Sequence, residues 1–225
     1  MRLSVRCSCV LSVQVALLAS AASSSGVVIN QIDTFGDGST NGWAIGTSAP
    51  QPANISTGGP AGAGDRFLQL TADGVRGGGR LTVFNRGQWL GDYLAAGVTG
   101  VQMHLFNFSN SPLRVRIAFK QDASGGAPGF ASTDGFLLPA DGQWHQAVFG
   151  ISELEMTRLN SADLDFNTLI SNPGEFRILH SLDPSLNGDP IVAQLGVDNI
   201  RAIPAPGACA ALLLLGVRSA LGRRR

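Results

Sequence analysis

Short runs of apolar and β-branched residues recur along most of this chain, and turn residues separate them. Eight runs follow one another: RFLQLT (66–71), GRLTVFN (79–85), GVQMHLFNF (100–108), LRVRIAF (113–119), GFLLPA (135–140), WHQAVFGI (144–151), FRILHS (176–181) and IVAQLGVDNIRAI (191–203). GVVINQIDTF (26–35) adds a strand before them. Many short strands without a long helical period are typical of a sandwich. The sequence therefore predicts an all-β fold, an antiparallel β-sandwich of jelly-roll type, over residues 26–203.

The segments between these runs have a different character. QWLGDYLAAG (88–97) and SADLDFNTLI (161–170) are predicted to be short helices or ordered loops, and the Pro/Gly/Ala/Ser-rich stretch 47–64 a long surface loop. The chain has 29 glycines, 11 prolines and only 14% charged residues, a balance that favours short strands and many turns. Its 225 residues, 44% of them hydrophobic, suffice for one domain with a core.

Charge is distributed unevenly along the chain. All 16 acidic side chains lie between Asp33 and Asp198, whereas six of the 16 basic side chains lie before residue 7 or after residue 217. The middle therefore carries 10 basic and 16 acidic side chains, a net charge of −6. Such a domain repels phosphate backbones, so we expect no nucleic-acid partner.

The N-terminus has the pattern of a secretory signal. Arg2 and Arg6 precede an apolar stretch, and Ala19-x-Ala21 provides small residues for signal peptidase. We therefore predict a signal peptide over residues 1–21 and an exported protein. Cleavage would remove Cys7 and Cys9, so the domain would contain neither a disulfide nor a thiol nucleophile.

Two arginines are candidates for binding a sugar polymer. In LRVRIAF, Leu113 and its alternate neighbours point to the core, whereas Arg114 and Arg116 point to the opposite face. Paired guanidinium groups can hold a carboxylate or sulfate by bidentate bonds. The alternative is that both side chains only solvate that face of the sheet.

Aromatic side chains provide a second set of carbohydrate-binding candidates. Trp89 and Tyr93 in QWLGDY could stack on sugar rings, or they could pack in the core. Trp43 and Trp144 lie at strand edges beside apolar residues, so we predict that both are core residues.

The sequence shows little sign of catalysis. His104, His145 and His180 lie in three different predicted strands, and neither H-E-x-x-H nor G-x-S-x-G occurs. Glu153 and Glu155 would share a face if SELEM were a strand, as a glycoside hydrolase needs for its carboxylate pair. We expect a non-catalytic protein; the alternative is a polysaccharide-active hydrolase or lyase on the same scaffold.

The C-terminal 22 residues (204–225) combine a proline hinge, an apolar run and a basic end. The hinge is Pro204-Ala205-Pro206, the apolar run is 208–217, and Arg223, Arg224 and Arg225 form the basic end. This pattern resembles the PEP-CTERM sorting signal, with Ala205 where the family consensus has Glu. The resemblance implies a membrane helix and cleavage by an exosortase-like membrane protease. Ten residues span only about 15 Å as a helix, half of a bilayer core, which favours sorting over stable anchoring.

The middle of the chain resembles laminin-G-like and carbohydrate-module-like jelly rolls found before such tails. The resemblance rests on DTFGDGSTNGW (33–43), GPAGAGDRFLQL (59–70), FNRGQWLGDYLAAGV (84–98), LPADGQWHQAVF (138–149) and LGVDNIRAIP (195–204). It implies a sandwich of that kind and no defined ligand. We expect a cell-surface adhesion protein or an exopolysaccharide-matrix protein, with a polysaccharide as the first ligand to test. A further alternative is a purely structural envelope component without a ligand.

Calcium is the one cofactor that the sequence suggests. Hard cations prefer carboxylate oxygens in loops, and many modules of the kind just named join their first and last strands through a structural calcium. Asp33, Asp37, Asp65 and Asp198 are the candidate ligands. The alternative is that these aspartates cap turns.

Overall fold

The computed structural model describes residues 26–46, 50–75 and 79–204. These ranges contain one short helix, α1 (Phe166–Ser171), and thirteen strands. In chain order the strands are β1 (Ile32–Asp33), β2 (Trp43–Ala44), β3 (Ala53–Ile55), β4 (Phe67–Asp73), β5 (Thr82–Asn85), β6 (Val98–Asn107), β7 (Leu113–Lys120), β8 (Gly129–Ser132), β9 (Phe136–Leu138), β10 (Trp144–Gly150), β11 (Met156–Leu159), β12 (Glu175–His180) and β13 (Val192–Pro204).

The strands form two antiparallel sheets that pack face to face. The six-stranded sheet has the order β10-β6-β13-β4-β3, and β1 pairs with β13. The seven-stranded sheet has the order β11-β8-β7-β12-β5-β2, and β9 pairs with β7. This arrangement confirms the predicted jelly-roll sandwich.

Period-2 alternation places the core between the sheets. In β6, Val101, Met103 and Leu105 are fully buried, whereas Gln102 and His104 are partly exposed on the opposite face. The inward residues of β7 continue this core; they are Leu113, Val115, Ile117 and Phe119, as the sequence predicted. Strands whose apolar residues alternate in this way cannot slip by one position without exposing the core.

The outer face of the seven-stranded sheet is covered by the loop between β12 and β13. Leu186 of that loop packs on Ala118, Ala131 and Leu179, which form a second small apolar cluster. The guanidinium group of Arg177 donates a hydrogen bond to the carbonyl oxygen of Leu186 (2.6 Å). The outer face of the six-stranded sheet is therefore the more open of the two.

Several local predictions differ from the structure. Strands β2, β3, β8 and β11 were not predicted, and β3 interrupts the expected loop 47–64. Of the two segments left as helix or loop, 88–97 consists of turns and 161–170 contains most of α1. The short strands have too few residues to show a period of their own, and they form because a neighbouring strand offers unpaired backbone groups.

The predicted export and sorting segments lie outside the described residues, except for Pro204 at the end of β13. Within the described ranges, no helix is both long enough and apolar enough to cross a membrane.

Candidate functional site

The outer face of the six-stranded sheet carries a mixed aromatic and polar surface. Phe106 of β6 lies opposite Trp144 of β10 on one side and opposite Gly196 of β13 on the other. In the next row along the strands, His104 lies opposite Gln146 and Asp198. Facing residues in antiparallel strands point to the same side, so these side chains share the outer face.

Four rings on this face form an aromatic cluster, which consists of Phe67, Phe106, Phe108 and Trp144. The ring centroids of Phe106 and Phe108 are 4.4 Å apart, and those of Phe106 and Trp144 are 5.4 Å apart. Phe67 stacks on Phe108 at 5.8 Å and meets Trp144 edge-on at 5.3 Å. Phe67 is buried, whereas Phe108 is 40% exposed. The cluster thus has a fixed inner ring and an accessible outer one.

The aromatic cluster is held over the middle of the sheet by two features. The indole Nε1 of Trp144 donates a hydrogen bond to the carbonyl oxygen of Gly58 (2.9 Å), which ties the ring to the loop before β4. Beneath the rings lies Gly196, where a Cβ atom would be only 3.0 Å from both Phe108 and Trp144. The missing side chain at Gly196 leaves room for the two rings.

Beside the cluster, His104 and Asp198 form a polar pair across β6 and β13. Asp198 is 1% exposed, and its Oδ2 accepts a hydrogen bond from the Nδ2 of Asn199 (3.0 Å). Its Oδ1 and the Nδ1 of His104 are buried and have no hydrogen-bond partner within the described part of the chain. Buried polar atoms are nearly always paired, so these two atoms point to a buried water.

Burial changes the acid–base behaviour of both members of this pair. Loss of solvation raises the pKa of Asp198 to about 7, and the nearby charge of Asp65 acts in the same direction. Loss of solvation also lowers the pKa of His104, against the opposing effect of Asp65. At neutral pH, His104 is therefore neutral, and Asp198 can either donate or accept a hydrogen bond.

A cleft of about 430 Å³ adjoins the aromatic cluster at the end of the sheet where β13 begins. Phe108 borders both the cleft and the cluster, and Thr71 and Gln194 contribute polar atoms from β4 and β13. The backbone N–H of Gln194 donates to the Oγ of Ser109 (3.0 Å), which fixes the opposite wall. Cleft, cluster and polar pair follow one another along the same face.

The structure places Trp89 and Tyr93 in the core. Both are 0% exposed, so neither ring can stack on a sugar. Tyr93 meets the ring of Phe119 edge-on at 4.9 Å, and its hydroxyl donates to the carbonyl oxygen of Trp89 (2.7 Å). Of the two alternatives that the sequence left open, the packing role is the one observed. Trp43 is buried as predicted, whereas Trp144, predicted to be a core residue, lies on the outer face.

Arg114 and Arg116 also differ from the prediction. The guanidinium group of Arg116 is buried and donates hydrogen bonds to four backbone carbonyl oxygens, those of Ser132, Thr133, Ser181 and Leu182 (2.7–3.0 Å). Its donors are used within the protein, so Arg116 is not available to an anionic ligand. Arg114 is half-buried, and its one side-chain bond, to the carbonyl oxygen of Gly135, is long at 3.3 Å.

The four candidate calcium ligands do not form a metal site. Asp33 is buried, and its Oδ2 accepts hydrogen bonds from the indole N–H groups of Trp43 and Trp89 (both 2.7 Å). Asp37 accepts from Ser39, and Asp65 accepts from the backbone N–H of Ala61. Among the residues that the structure describes, no three carboxylate, histidine or cysteine side chains are grouped to hold a metal ion. Structural calcium therefore remains a prediction, and these four aspartates, as the structure places them, do not form its site.

The candidate catalytic carboxylates lie in a turn. SELEM is not a strand, because the chain turns at residues 152–155 and β11 begins only at Met156. Glu155 accepts a hydrogen bond from the hydroxyl group of Ser152 (2.7 Å). The shared strand face that made Glu153 and Glu155 a pair is therefore absent.

Sequence reasoning missed the residues that do lie on the open face. The signal was present in GVQMHLFNF, where His104, Phe106 and Phe108 alternate with the core residues of β6. What the pattern could not show is that Gly196 and Trp144 lie next to Phe106, since that depends on the pairing of β6 with β13 and β10.

This chain is similar to known proteins in its fold. No family model matches the chain, and no curated protein matches it. Among solved structures, part of an exo-β-agarase superposes with a TM-score of 0.55 at 11% identity over 79% of this chain. The chain spans about a quarter (26%) of the length of that agarase chain.

Two carbohydrate-binding modules are also similar to this chain, each over 79% of it and 97% of the module. A family 11 module from Clostridium thermocellum, in complex with a β-1,3-1,4-mixed-linked tetrasaccharide, has 17% identity and a TM-score of 0.47. A family 28 module specific for non-crystalline cellulose has 11% identity and a TM-score of 0.46.

Proposed function

We propose that this protein is a non-catalytic carbohydrate-binding protein that holds a polysaccharide on the outer face of its six-stranded sheet. The observation that carries the proposal is the aromatic cluster, whose outer ring, Phe108, is 40% exposed on the outer face of the six-stranded sheet. An aromatic face matches the apolar C–H surface of a pyranose ring, and neighbouring polar atoms match its hydroxyl groups.

Polar side chains around the buried pair suit sugar hydroxyl groups. Asp198 Oδ1 and His104 Nδ1 are themselves buried, so direct contacts to a sugar come from the amides near them. Gln146 lies opposite His104, Gln102 is the next outward residue along β6, and Gln69 lies opposite Gly196. A face of amides, aromatic rings and hydroxyl-matching groups is typical of sugar recognition.

Electrostatics favour a neutral polymer. Asp198 lies on the face, its pKa is affected by the charge of Asp65, and the chain between its basic ends carries a net charge of −6. The exposed Arg201 of β13, opposite Gln102, adds a positive charge to this face, so the repulsion of a uronate or sulfate group there is weak. Arg114 and Arg116, the arginines that would have attracted such a group, belong to the other sheet. We therefore infer that neutral glycans bind more tightly than acidic ones.

The proposal includes the location that the sequence predicts. The N-terminal segment would export the protein, and the tail that begins at Pro204 would deliver it to the cell envelope or an extracellular matrix. Mass spectrometry of the protein from its native host tests this part, because it shows whether residues 1–21 and the segment after Pro204 are removed. An intact chain at both ends would contradict it.

Binding and turnover together test the proposed function. The panel is mixed-linked β-1,3-1,4-glucan, non-crystalline cellulose and agarose as neutral polymers, with alginate as the acidic comparator. We expect retardation in native gels that contain at least one neutral polymer, none with alginate, and no change in polymer length. Shortening of a polymer that the double substitution Glu153→Gln and Glu155→Gln abolishes would establish the hydrolase alternative instead.

A further inference from the structure

Both ends of the described domain meet at one pole of the sandwich. The backbone N–H of Val27 donates to the carbonyl oxygen of Leu90 (2.7 Å), so the first described residues run beside the loop before β6. The N–H of Asn30 donates to the carbonyl oxygen of Ala202 (2.9 Å). At the same place β13 ends, with Pro204 opposite Val98.

Three exposed apolar side chains lie at this pole and form what we call the apolar pole: Val28, Ile29 and Leu94. They are 55%, 39% and 47% exposed, respectively. The two segments are adjacent at Gly97, because a Cβ atom there would lie 3.4 Å from the Cδ1 of Ile29, and the N–H of Gly97 donates to the carbonyl oxygen of Leu94. The apolar pole thus consists of exposed apolar side chains on two adjacent segments, and exposed apolar surface favours an apolar partner.

The sequence supplies an apolar partner within reach. After Pro204 come three residues, 205–207, and then the apolar run 208–217, which ends at Arg218. Four residue steps extend at most about 14 Å, so the start of the run cannot be farther than that from Pro204. The run is also too short to span a bilayer, so in water it needs another cover.

We propose that the apolar run 208–217 docks on the apolar pole. Each of the two surfaces is unfavourable in water, and contact removes apolar area of both from solvent. The short connection makes the contact intramolecular, so the effective concentration of the run at the pole is high. Docking would keep the apolar run out of water until it inserts into a membrane or is cleaved by a protease. This proposal does not depend on carbohydrate binding.

A cysteine in the apolar run can report whether the run is buried. Cys209 lies in the apolar run, and the only other cysteines are Cys7 and Cys9. In the full chain with Cys7→Ser and Cys9→Ser, the rate at which Cys209 reacts with an aromatic disulfide reagent measures its accessibility. We expect the folded protein to react several-fold more slowly than the same protein in urea.

Two matched variants test where the protection comes from. The double substitution Val28→Asn and Leu94→Asn should restore most of the urea rate, because it makes the pole polar at exposed positions. Val192→Asn is the control: Val192 is 77% exposed, and it lies at the opposite end of β13, roughly 40 Å from Pro204 by strand length. It should leave the rate unchanged. Circular dichroism and thermal melting confirm that both variants fold like the parent.

Three results would overturn the proposal. Equal rates in the folded parent and the pole variant mean that the run is not docked there. Protection that rises with protein concentration identifies a second copy as the occupant. Protection that appears only with phosphatidylcholine vesicles, and equally in the pole variant, assigns the run to the bilayer.

Discussion

At the scale of single residues, Asp33 shows how one carboxylate can organise the core. Its Oδ2 accepts hydrogen bonds from the indole N–H groups of Trp43 and Trp89, whose ring centroids lie 6.2 Å apart. Both rings also contact Phe176 of the seven-stranded sheet. Burial raises the pKa of Asp33, and the two indole hydrogen bonds partly oppose this. Asp33 thus satisfies two buried donors between the sheets.

Asp33→Ala should destabilise the protein by about 2–6 kcal/mol, because each of the two buried indole N–H groups left without an acceptor costs about 1–3 kcal/mol. Urea unfolding measures this change. Asp37→Asn, an exposed position four residues along, is the control and should change the free energy of unfolding by less than about 1 kcal/mol. If chelator lowered the melting temperature of the parent and not that of Asp33→Ala, Asp33 would be a metal ligand after all.

Asp198 makes the stability depend on pH. Its pKa is about 7 in the folded protein and 3.8 for an ordinary aspartate, so between these values the folded state binds more protons than the unfolded state. The contribution of Asp198 to the free energy of unfolding therefore falls as pH rises through that window, by at most about 1.4 kcal/mol per pH unit. Charging the buried carboxyl above pH 7 is the unfavourable step.

Asp198→Asn removes this titration while keeping an oxygen for Asn199. Relative to the parent, the variant should gain stability as pH rises from about 4 to about 8. Urea unfolding at both pH values gives the difference. A difference that does not vary with pH would mean that Asp198 is already charged near its ordinary pKa.

At the scale of elements, Arg116 fastens the covering loop to the seven-stranded sheet. Its guanidinium group bonds backbone carbonyl oxygens of Ser181 and Leu182, after β12, and of Ser132 and Thr133, at the end of β8. Arg116→Met should cost about 3–5 kcal/mol, because buried carbonyl groups lose a charged donor. Arg114→Met, which removes one long hydrogen bond, should cost less than about 1 kcal/mol. If the Arg116→Met protein were as stable as the parent and no longer bound glycan, Arg116 would be a binding residue and not a structural one.

The long strands could be predicted from the sequence because each is long enough to show its own alternation. In β7 the core set Leu113, Val115, Ile117 and Phe119 was correct residue by residue. The outward set was correct in direction and wrong in role, since Arg116 points outward but lies under a loop that begins 65 residues later. The alternation of apolar and polar residues indicates the face of the strand on which a side chain lies. What covers that face depends on the tertiary fold.

At the scale of the whole molecule, the two outer faces of the sandwich differ in how far they are covered. One is covered by the loop around Leu186 and carries buried charged side chains such as Arg116 and Arg177. The other is open and carries the aromatic cluster, the polar pair and the cleft. The binding candidates chosen from sequence lie in the core or on the first face, because aromatic and arginine content alone cannot identify the open face. Asp198 was predicted from the sequence only as a candidate calcium ligand, and the structure shows that it is buried with one unpartnered oxygen.

We propose that the open face binds a neutral polysaccharide through its exposed ring, Phe108. Isothermal titration of the parent, of Phe108→Ala and of the control Leu137→Ala with the neutral glycan that binds the parent tests this contact. Phe108 is 40% exposed on the open face, and Leu137 is 58% exposed on β9 of the other sheet. Loss of one stacked ring costs about 1–3 kcal/mol, so we expect Phe108→Ala to weaken binding roughly ten-fold or more and Leu137→Ala to leave it unchanged. Equal affinity of both variants and the parent would contradict binding through Phe108.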